Sequence, residues 1–290
     1  MSTTRIAAVT GANKGIGLAI VRQLALQYPN SPFHSGSFLI YLTARSAERG
    51  AEAVNAINED PQLKKAKVLS QDGGQTTVKF KELDISNTMS IRAFAESLQK
   101  DHPDGIDFVI NNAGIAMEGF NSNVVKTTLE TNYYGTLETT QTILPIVKPG
   151  GRLVNVASMS GHLNKYSDAV RQNFIKAAET GVPECTAMME TFKQAVADGK
   201  EKELGWPSAA YAVSKAGCIA FTKAVAKEHA SQGGSVLINA CCPGFVDTDM
   251  TKGKGTKTPD QGALTPVMLA LHDIKGKTGE FWQSEKVIEW

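Results

Sequence analysis

Short apolar runs alternate with longer stretches of helical periodicity along this chain. Ile6–Val9, Phe38–Thr43, Val78–Leu83, Phe108–Asn111, Arg152–Ala157 and Ser235–Ala240 read as strands, with a short seventh at Glu280–Gln283. Between them Gly15–Tyr28, Ser46–Asn58, Thr88–Lys100, Asn123–Leu144 and Ser208–Ala230 read as helices. The strands are apolar at successive positions rather than at alternate ones, which suits strands covered on both faces. Strand–helix–strand units in series predict an α/β protein with a doubly wound, parallel, Rossmann-like sheet.

Two stretches interrupt the rhythm. Residues 64–77 read as a polar, glycine-containing surface loop. Residues 161–207 fall where a short loop would suffice, between the fifth strand and the next helix. They contain helical segments at Asp168–Ala178 and Glu184–Asp198 but are too few to hold a core of their own. The expectation is one domain over 1–290 with a helical insertion at 161–207.

Charge and composition narrow the partners. The 290 residues include 30 Lys+Arg against 29 Asp+Glu, so no basic excess points to nucleic acid or an anionic membrane. No apolar run approaches a membrane span. Met1–Arg5 leads straight into Ile6–Val9 and Val287–Trp290 carries no lipidation signal, so no targeting segment or anchor is expected. Cys185, Cys218, Cys241 and Cys242 have neither zinc-site nor redox-pair spacing, and the five histidines are scattered. The reading is a cytoplasmic protein with reduced thiols and no metal.

The first strand ends in Gly11-Ala12-Asn13-Lys14-Gly15-Ile16-Gly17. Glycines between a strand and a helix let backbone N–H groups approach a pyrophosphate, and the helix dipole favours that anion. A glycine-rich turn alone is weak evidence, but the strand before it and the helix after it supply the required context. The second strand ends without a carboxylate, in Ala44-Arg45-Ser46, with Arg49 nearby. An acidic residue there would bond a ribose 2′-hydroxyl; Arg45, with Lys14 in the glycine loop, matches a 2′-phosphate instead. The expected cofactor is NADP(H). Asp84 follows the third strand, where its ordinary role is to cap a helix. Asn111, Ala113 and Gly114 end the fourth strand, at the edge where such sheets bind ligands.

Tyr211 and Lys215 stand four residues apart, on one face of a helix. A neighbouring ammonium favours a phenolate, which makes the phenol a better acid toward a carbonyl oxygen receiving a hydride. Taken alone, the pair is common helix spacing. Ser158 ends the fifth strand; local sequence reads it as readily a turn serine as a substrate contact. Asn132 lies inside a long helical pattern, where asparagine is a poor fit unless it has hydrogen-bonding work.

Together, Thr10–Gly17, Asp84, Asn111–Gly114, Asn132, Ser158, Tyr211, Lys215, Pro243-Gly244 and Thr248 resemble the short-chain dehydrogenase/reductase superfamily. Gly11–Val21, Gly205–Ser208, Asn239–Gly244 and Ser284–Lys286 are similar to its monomeric cytosolic carbonyl reductase branch. The resemblance covers nearly the whole chain. It implies Tyr211 as the acid, Lys215 on the nicotinamide ribose, Ser158 orienting the carbonyl, and Asn132 holding a water that links Lys215 to solvent. It implies Lys14 and Arg45 on the 2′-phosphate, Asp84 at the adenine, Asn111 on the cofactor backbone, and Ile85 as a further cofactor contact. Gly11, Asn13, Gly15, Ile16, Gly17, Ala113, Gly114, Pro243, Gly244, Val246 and Thr248 complete the implied cofactor contacts. In that branch the insertion covers the surface that tetrameric members use for pairing, so the implied state is a monomer. Two departures bear on the substrate. Phe245 stands where mammalian carbonyl reductases carry tryptophan, and Ala157–Ser160 is one residue tighter than the corresponding run there.

The expected activity is NADPH-dependent reduction of ketones, aldehydes or quinones, with Met159, Trp206 and Phe245 as apolar wall unless they prove to be core. One alternative is a biosynthetic ketoreductase specialised for a polycyclic or terpenoid metabolite. Another is a non-catalytic NADPH sensor, though such proteins usually lose the tyrosine or lysine that this chain keeps.

Overall fold

A strand sends its side chains alternately to its two faces, and β1 (Arg5–Val9) is apolar on both. Ile6 and Ala8 belong to one hydrophobic core, Ala7 and Val9 to a second. That double burial calls for helices on either side of a sheet. The computed structural model describes residues 4–290. Among them, β1 is joined by β2 (Phe38–Ala44), β3 (Thr76–Glu82), β4 (Ile106–Asn111), β5 (Val147–Val156), β6 (Leu237–Cys242), β7 (Phe281–Gln283) and β8 (Lys286–Ile288). They form one eight-stranded sheet in the order β3-β2-β1-β4-β5-β6-β7-β8. Every neighbouring pair is parallel except β7 and β8, an antiparallel hairpin at one edge. The predicted doubly wound sheet is present, with one antiparallel strand added.

Helices α1 (Gly15–Gln27), α2 (Ala47–Asn58) and α3 (Pro61–Ala66) contribute to the core that holds Ala7 and Val9. Helices α4 (Thr88–Asp101), α5 (Ser122–Leu129), α6 (Thr136–Ile143), α7 (Asp168–Thr180), α8 (Val182–Ala197) and α9 (Ala210–Ser231) contribute to the other. α10 (Pro259–Leu271) returns to the first of these, against α1. The insertion is α7 and α8. It buries Phe174, Cys185, Met189 and Phe192 in the shared core and packs against α5 and α9.

The structure departs from the sequence pattern in four places. Residues 64–77 are more than a polar loop: Val68 and Leu69 are buried, Leu69 bridges to Thr76, and β3 already begins there. β5 starts five residues early, running through Pro149-Gly150-Gly151 with a register irregularity opposite Ile106–Phe108. The helix expected over Asn123–Leu144 is interrupted by a π-turn, Glu130–Gly135. α10 was not foreshadowed by periodicity because it is buried on nearly every side.

The sheet order reverses at β1, whose neighbours are β2 and β4. A reversal of this kind opens a crevice beyond the strands' carboxyl ends. The candidate residues gather there.

Candidate active site

The turn from β1 into α1 is shaped by its glycines. Gly11 and Gly15 take φ of +60° and +55°, a left-handed conformation that favours glycine. Gly17 faces the turn so closely that a Cβ would lie 2.3 Å from Gly11 O and 2.6 Å from Asn112 Nδ2. Thr10 and Asn112 sew this turn to the end of β4. Thr10 Oγ1 accepts from the amides of Asn112 (2.9 Å) and Ala113 (3.0 Å), and Asn112 Nδ2 donates to Thr10 O and Gly11 O. Among the described residues, no side chain caps the N-terminus of α1. Its first amides therefore stay available to an anion, and the turn fits a dinucleotide's pyrophosphate.

The cations take different postures. Lys14 Nζ lies 2.7 Å from Asp249 in the loop after β6, and holds that carboxyl below its ordinary range. Arg45 is exposed just past β2 and makes no ion pair among the described residues. It borders a cavity of about 500 Å³ shared with Ile85, Ser86, Ile115 and Thr131. Asp84 follows β3, directly before Ile85 of that cavity. Its Oδ1 accepts from Ser86 N and Ser86 Oγ, while Asn87 caps α4. The capping role considered for Asp84 thus belongs to Asn87.

Tyr211 opens α9, and Lys215 follows one turn later. Lys215 Nζ lies 5.7 Å from the centroid of the Tyr211 ring. The lysine is 5 % exposed and donates to Val156 O at 2.8 Å. Val156 ends β5 two residues before Ser158, so the ammonium ties the catalytic-helix candidate to the serine's strand. Ser158 Oγ accepts from Ser160 N at 3.1 Å, a turn-serine role that leaves its proton free to be donated. The local-cap and substrate-contact readings are therefore compatible.

Asn132 sits in the π-turn, fully buried. A π-turn carries one more residue per turn than an α-helix and is common at functional positions. Asn132 grips Ile115 in both directions: Oδ1 accepts from Ile115 N and Nδ2 donates to Ile115 O, each at 2.8 Å. Nδ2 also donates to Ser214 Oγ at 3.1 Å. Both amide protons are thereby committed, and a water would have only Oδ1's second lone pair on this side chain. Gly114 lies beside both groups; a Cβ there would come 3.1 Å from Asn132 Oδ1 and 3.6 Å from Lys215 Nζ.

Asn111, Asn155, Thr140 and Thr222 form a buried ladder beneath the site. Asn111 Nδ2 donates to Asn155 Oδ1 (2.9 Å) and Thr140 Oγ1 (3.1 Å), and Asn155 Nδ2 to Thr222 Oγ1 (2.9 Å). The carboxamide nitrogen of Asn111 is turned into the protein. The loop after β6 carries Gly244, exposed Phe245, buried Val246 and half-buried Thr248. It is tied to the glycine loop through Lys14 and to the loop after β4 through a Lys252–Glu118 ion pair. Met159 is half-buried beside Ser158. Trp206 corrects an expectation: it is 4 % exposed and packs among Tyr166, Phe174 and Phe192, so it is core of the insertion rather than pocket wall.

A model of the short chain dehydrogenase family matches residues 5–170 and 199–259. The chain belongs to that family. The unmatched gap falls on the insertion helices α7 and α8, which the general family pattern passes over. Carbonyl reductase [NADPH] 1 of Sus scrofa is 38 % identical over 299 residues, covering 100 % of this chain and 95 % of the relative. The Homo sapiens protein of that name is 38 % identical, covering 100 % and 99 %. Among solved structures, menthone neomenthol reductase from Mentha piperita superposes with a TM-score of 0.75 at 26 % identity, over 96 % of this chain and 98 % of that one. Salutaridine reductase from Papaver somniferum shares the fold, with a TM-score of 0.80, 24 % identity, and 96 % and 99 % covered.

Sequence reasoning missed Thr10, Asn112, Asn155 and Ser214 as structural partners of the candidate site. Thr10 and Asn112 stood inside motifs already singled out; Asn155 and Ser214 gave no local signal. The thiols are not candidates for chemistry. All four are buried, and burial pushes Cys185 up to about 12 and Cys218 to about 11. Burial also raises Cys241 and Cys242, leaving little thiolate.

Proposed function

We propose that this chain is an NADPH-dependent carbonyl reductase acting on apolar or aromatic ketones, aldehydes and quinones. The observation that carries the reading is the convergence of Tyr211, Lys215, Ser158 and Asn132 at one end of the sheet, next to an uncapped glycine turn. The carbonyl reductases of pig and human, similar over the whole chain, support the same reaction.

The glycine turn and the first amides of α1 hold the pyrophosphate. Arg45 would hold the 2′-phosphate, with Lys14 as a second cation close to the same turn, and Ile85 and Ile115 would offer apolar surface to the adenosine. When bound, NADPH supplies the hydride that the carbonyl carbon receives. Ser158 donates a hydrogen bond from its free hydroxyl to the carbonyl oxygen, keeping its own proton, and so orients the substrate. Tyr211 transfers its phenolic proton to that oxygen as negative charge develops there. Lys215 provides a fixed positive charge beside the phenol, held by Val156 O. Asn132 keeps Ile115 and Ser214 in register on either side of Lys215. Phe245 and Met159 supply apolar surface at the mouth.

The insertion helices cover α5 and α9, and we read the protein as a monomer on that basis; the cytoplasmic reading rests on its reduced thiols and its likeness to the carbonyl reductases. A narrower role is favoured by the likeness to menthone neomenthol reductase: reduction of one terpenoid ketone. A panel of quinones, aromatic ketones, aldehydes and terpenoid ketones, followed by NADPH oxidation, separates broad from narrow use. Tyr211→Phe is expected to bind NADPH as the parent does while turnover falls at least ~100-fold. Retained turnover removes Tyr211 from the mechanism.

A further inference from the structure

The turn that carries Ser158 is held from the far side of the insertion. Met159–Gly161 makes one turn of 3-10 helix, in which Gly161 N donates to Ser158 O at 2.9 Å and His162 N to Met159 O at 3.1 Å. Gly161 rests directly on the backbone of α9. A Cβ there would lie 2.6 Å from both the Lys215 carbonyl carbon and Ala216 N. No larger residue allows the serine turn to sit so close to the lysine that follows Tyr211.

The outward carbonyl of Gly161 accepts a hydrogen bond from Trp290 Nε1 at 2.9 Å. The indole stands edge-on to Phe174 of α7, with ring centroids 6.0 Å apart at 76°. Phe174 packs in turn on Tyr166 and Trp206. One side chain therefore links three parts: the aromatic core of the insertion, the serine turn, and the helix that bears Tyr211 and Lys215. An aromatic contact alone would leave the turn free to rock on α9. The directed N–H fixes the carbonyl end of that turn.

We propose that Trp290 is a positioning residue for Ser158. Its N–H presses the 158–161 turn onto α9 and so sets where the serine hydroxyl stands relative to Tyr211. It acts through Gly161. The inference rests on the reading of Ser158 and Tyr211 as the groups that meet the carbonyl oxygen.

Trp290→Phe keeps a ring against Phe174 and removes the N–H; Trp290→Ala removes both. For Trp290→Phe, kcat on the best-reduced carbonyl of the panel is expected to fall about fivefold, with KM and the NADPH Kd within about twofold of the parent. Its unfolding midpoint stays at the parent value, and hydrogen exchange at the Gly161 and His162 amides becomes faster. Trp290→Ala repeats this kinetic split and also loses stability. An unchanged kcat in Trp290→Phe overturns the proposal, as does a loss that tracks the NADPH Kd and the midpoint. If the parent protein reduces no carbonyl, the functional reading fails separately. Exchange at Gly161 and His162 then decides whether Trp290 holds the turn, and unchanged exchange overturns it.

Discussion

Lys14 and Arg45 are both cations at the rim of the crevice, yet they are held differently. Lys14 is engaged by Asp249 through two exposed side chains, a weak contact that salt screens. Arg45 has no acidic partner among the described residues and offers a planar fork suited to a phosphate. The cofactor preference should therefore depend mainly on Arg45. Arg45→Asp is expected to weaken NADPH binding by more than ~10-fold while NADH binding changes little. Fluorescence titration with both nucleotides measures this, and equal loss for the two would mean that Arg45 does not read the 2′-phosphate. At this scale the sequence was most informative where a residue was out of place for its element. Asn132 drew notice as a poor helix former, and the π-turn is the physical reason it is tolerated. For Trp206, apolarity alone leaves pocket wall and core both open; its packing against Phe174 and Phe192 decides for core.

Among the elements, the turn between β1 and α1 has the least tolerance. Gly17 is pressed against Gly11 O and Asn112 Nδ2, both of which belong to the seam between β1 and β4. A methyl group at Gly17 must push that seam apart. Gly17→Ala is expected to cost about 1–3 kcal/mol of stability by overpacking. It should also weaken NADPH binding while the far end of the sheet, where Asp107 bonds Arg5 and Lys148, stays intact. Chemical denaturation and nucleotide titration of the same variant test both parts; full affinity in the variant contradicts the role given to this turn. The central strands were legible because burial on both faces leaves them largely apolar, broken only by residues such as Asp107, Asn155 and Asn239 that find polar partners. α10 was not, since a helix buried on nearly every side has no broad polar stripe, and it also carries Pro266 in its interior. Its start was nonetheless marked. Thr258 and Gln261 form a reciprocal capping box, with Pro259 at the first helical position. β8 is a three-residue strand, too short for any periodicity to register.

For the whole molecule, the insertion decides what other surfaces can do. α7 and α8 spend their apolar residues on α5 and α9, placing Phe174, Met189 and Phe192 under cover. The proposed monomer follows from that coverage. Sedimentation velocity should give one species with the mass of a single chain at every concentration tested, with or without NADPH. A concentration-dependent shift to a larger species rules out the monomer. The sheet itself adds a second constraint, because an open sheet has two edges and each is a template for an unwanted neighbour. The β7–β8 hairpin turns back at Ser284-Glu285, both at positive φ, and leaves only three residues at that edge. At the other edge, β3 carries Lys79 in the open and Lys81 bonded to Asp101 of α4. Lys79, Lys81 and Glu82 put charge along this edge, which disfavours the addition of a further strand. Protection against edge-to-edge association is thus expected from a strand that holds none of the proposed catalytic groups, and making that edge apolar should weaken it even with every one of those groups in place.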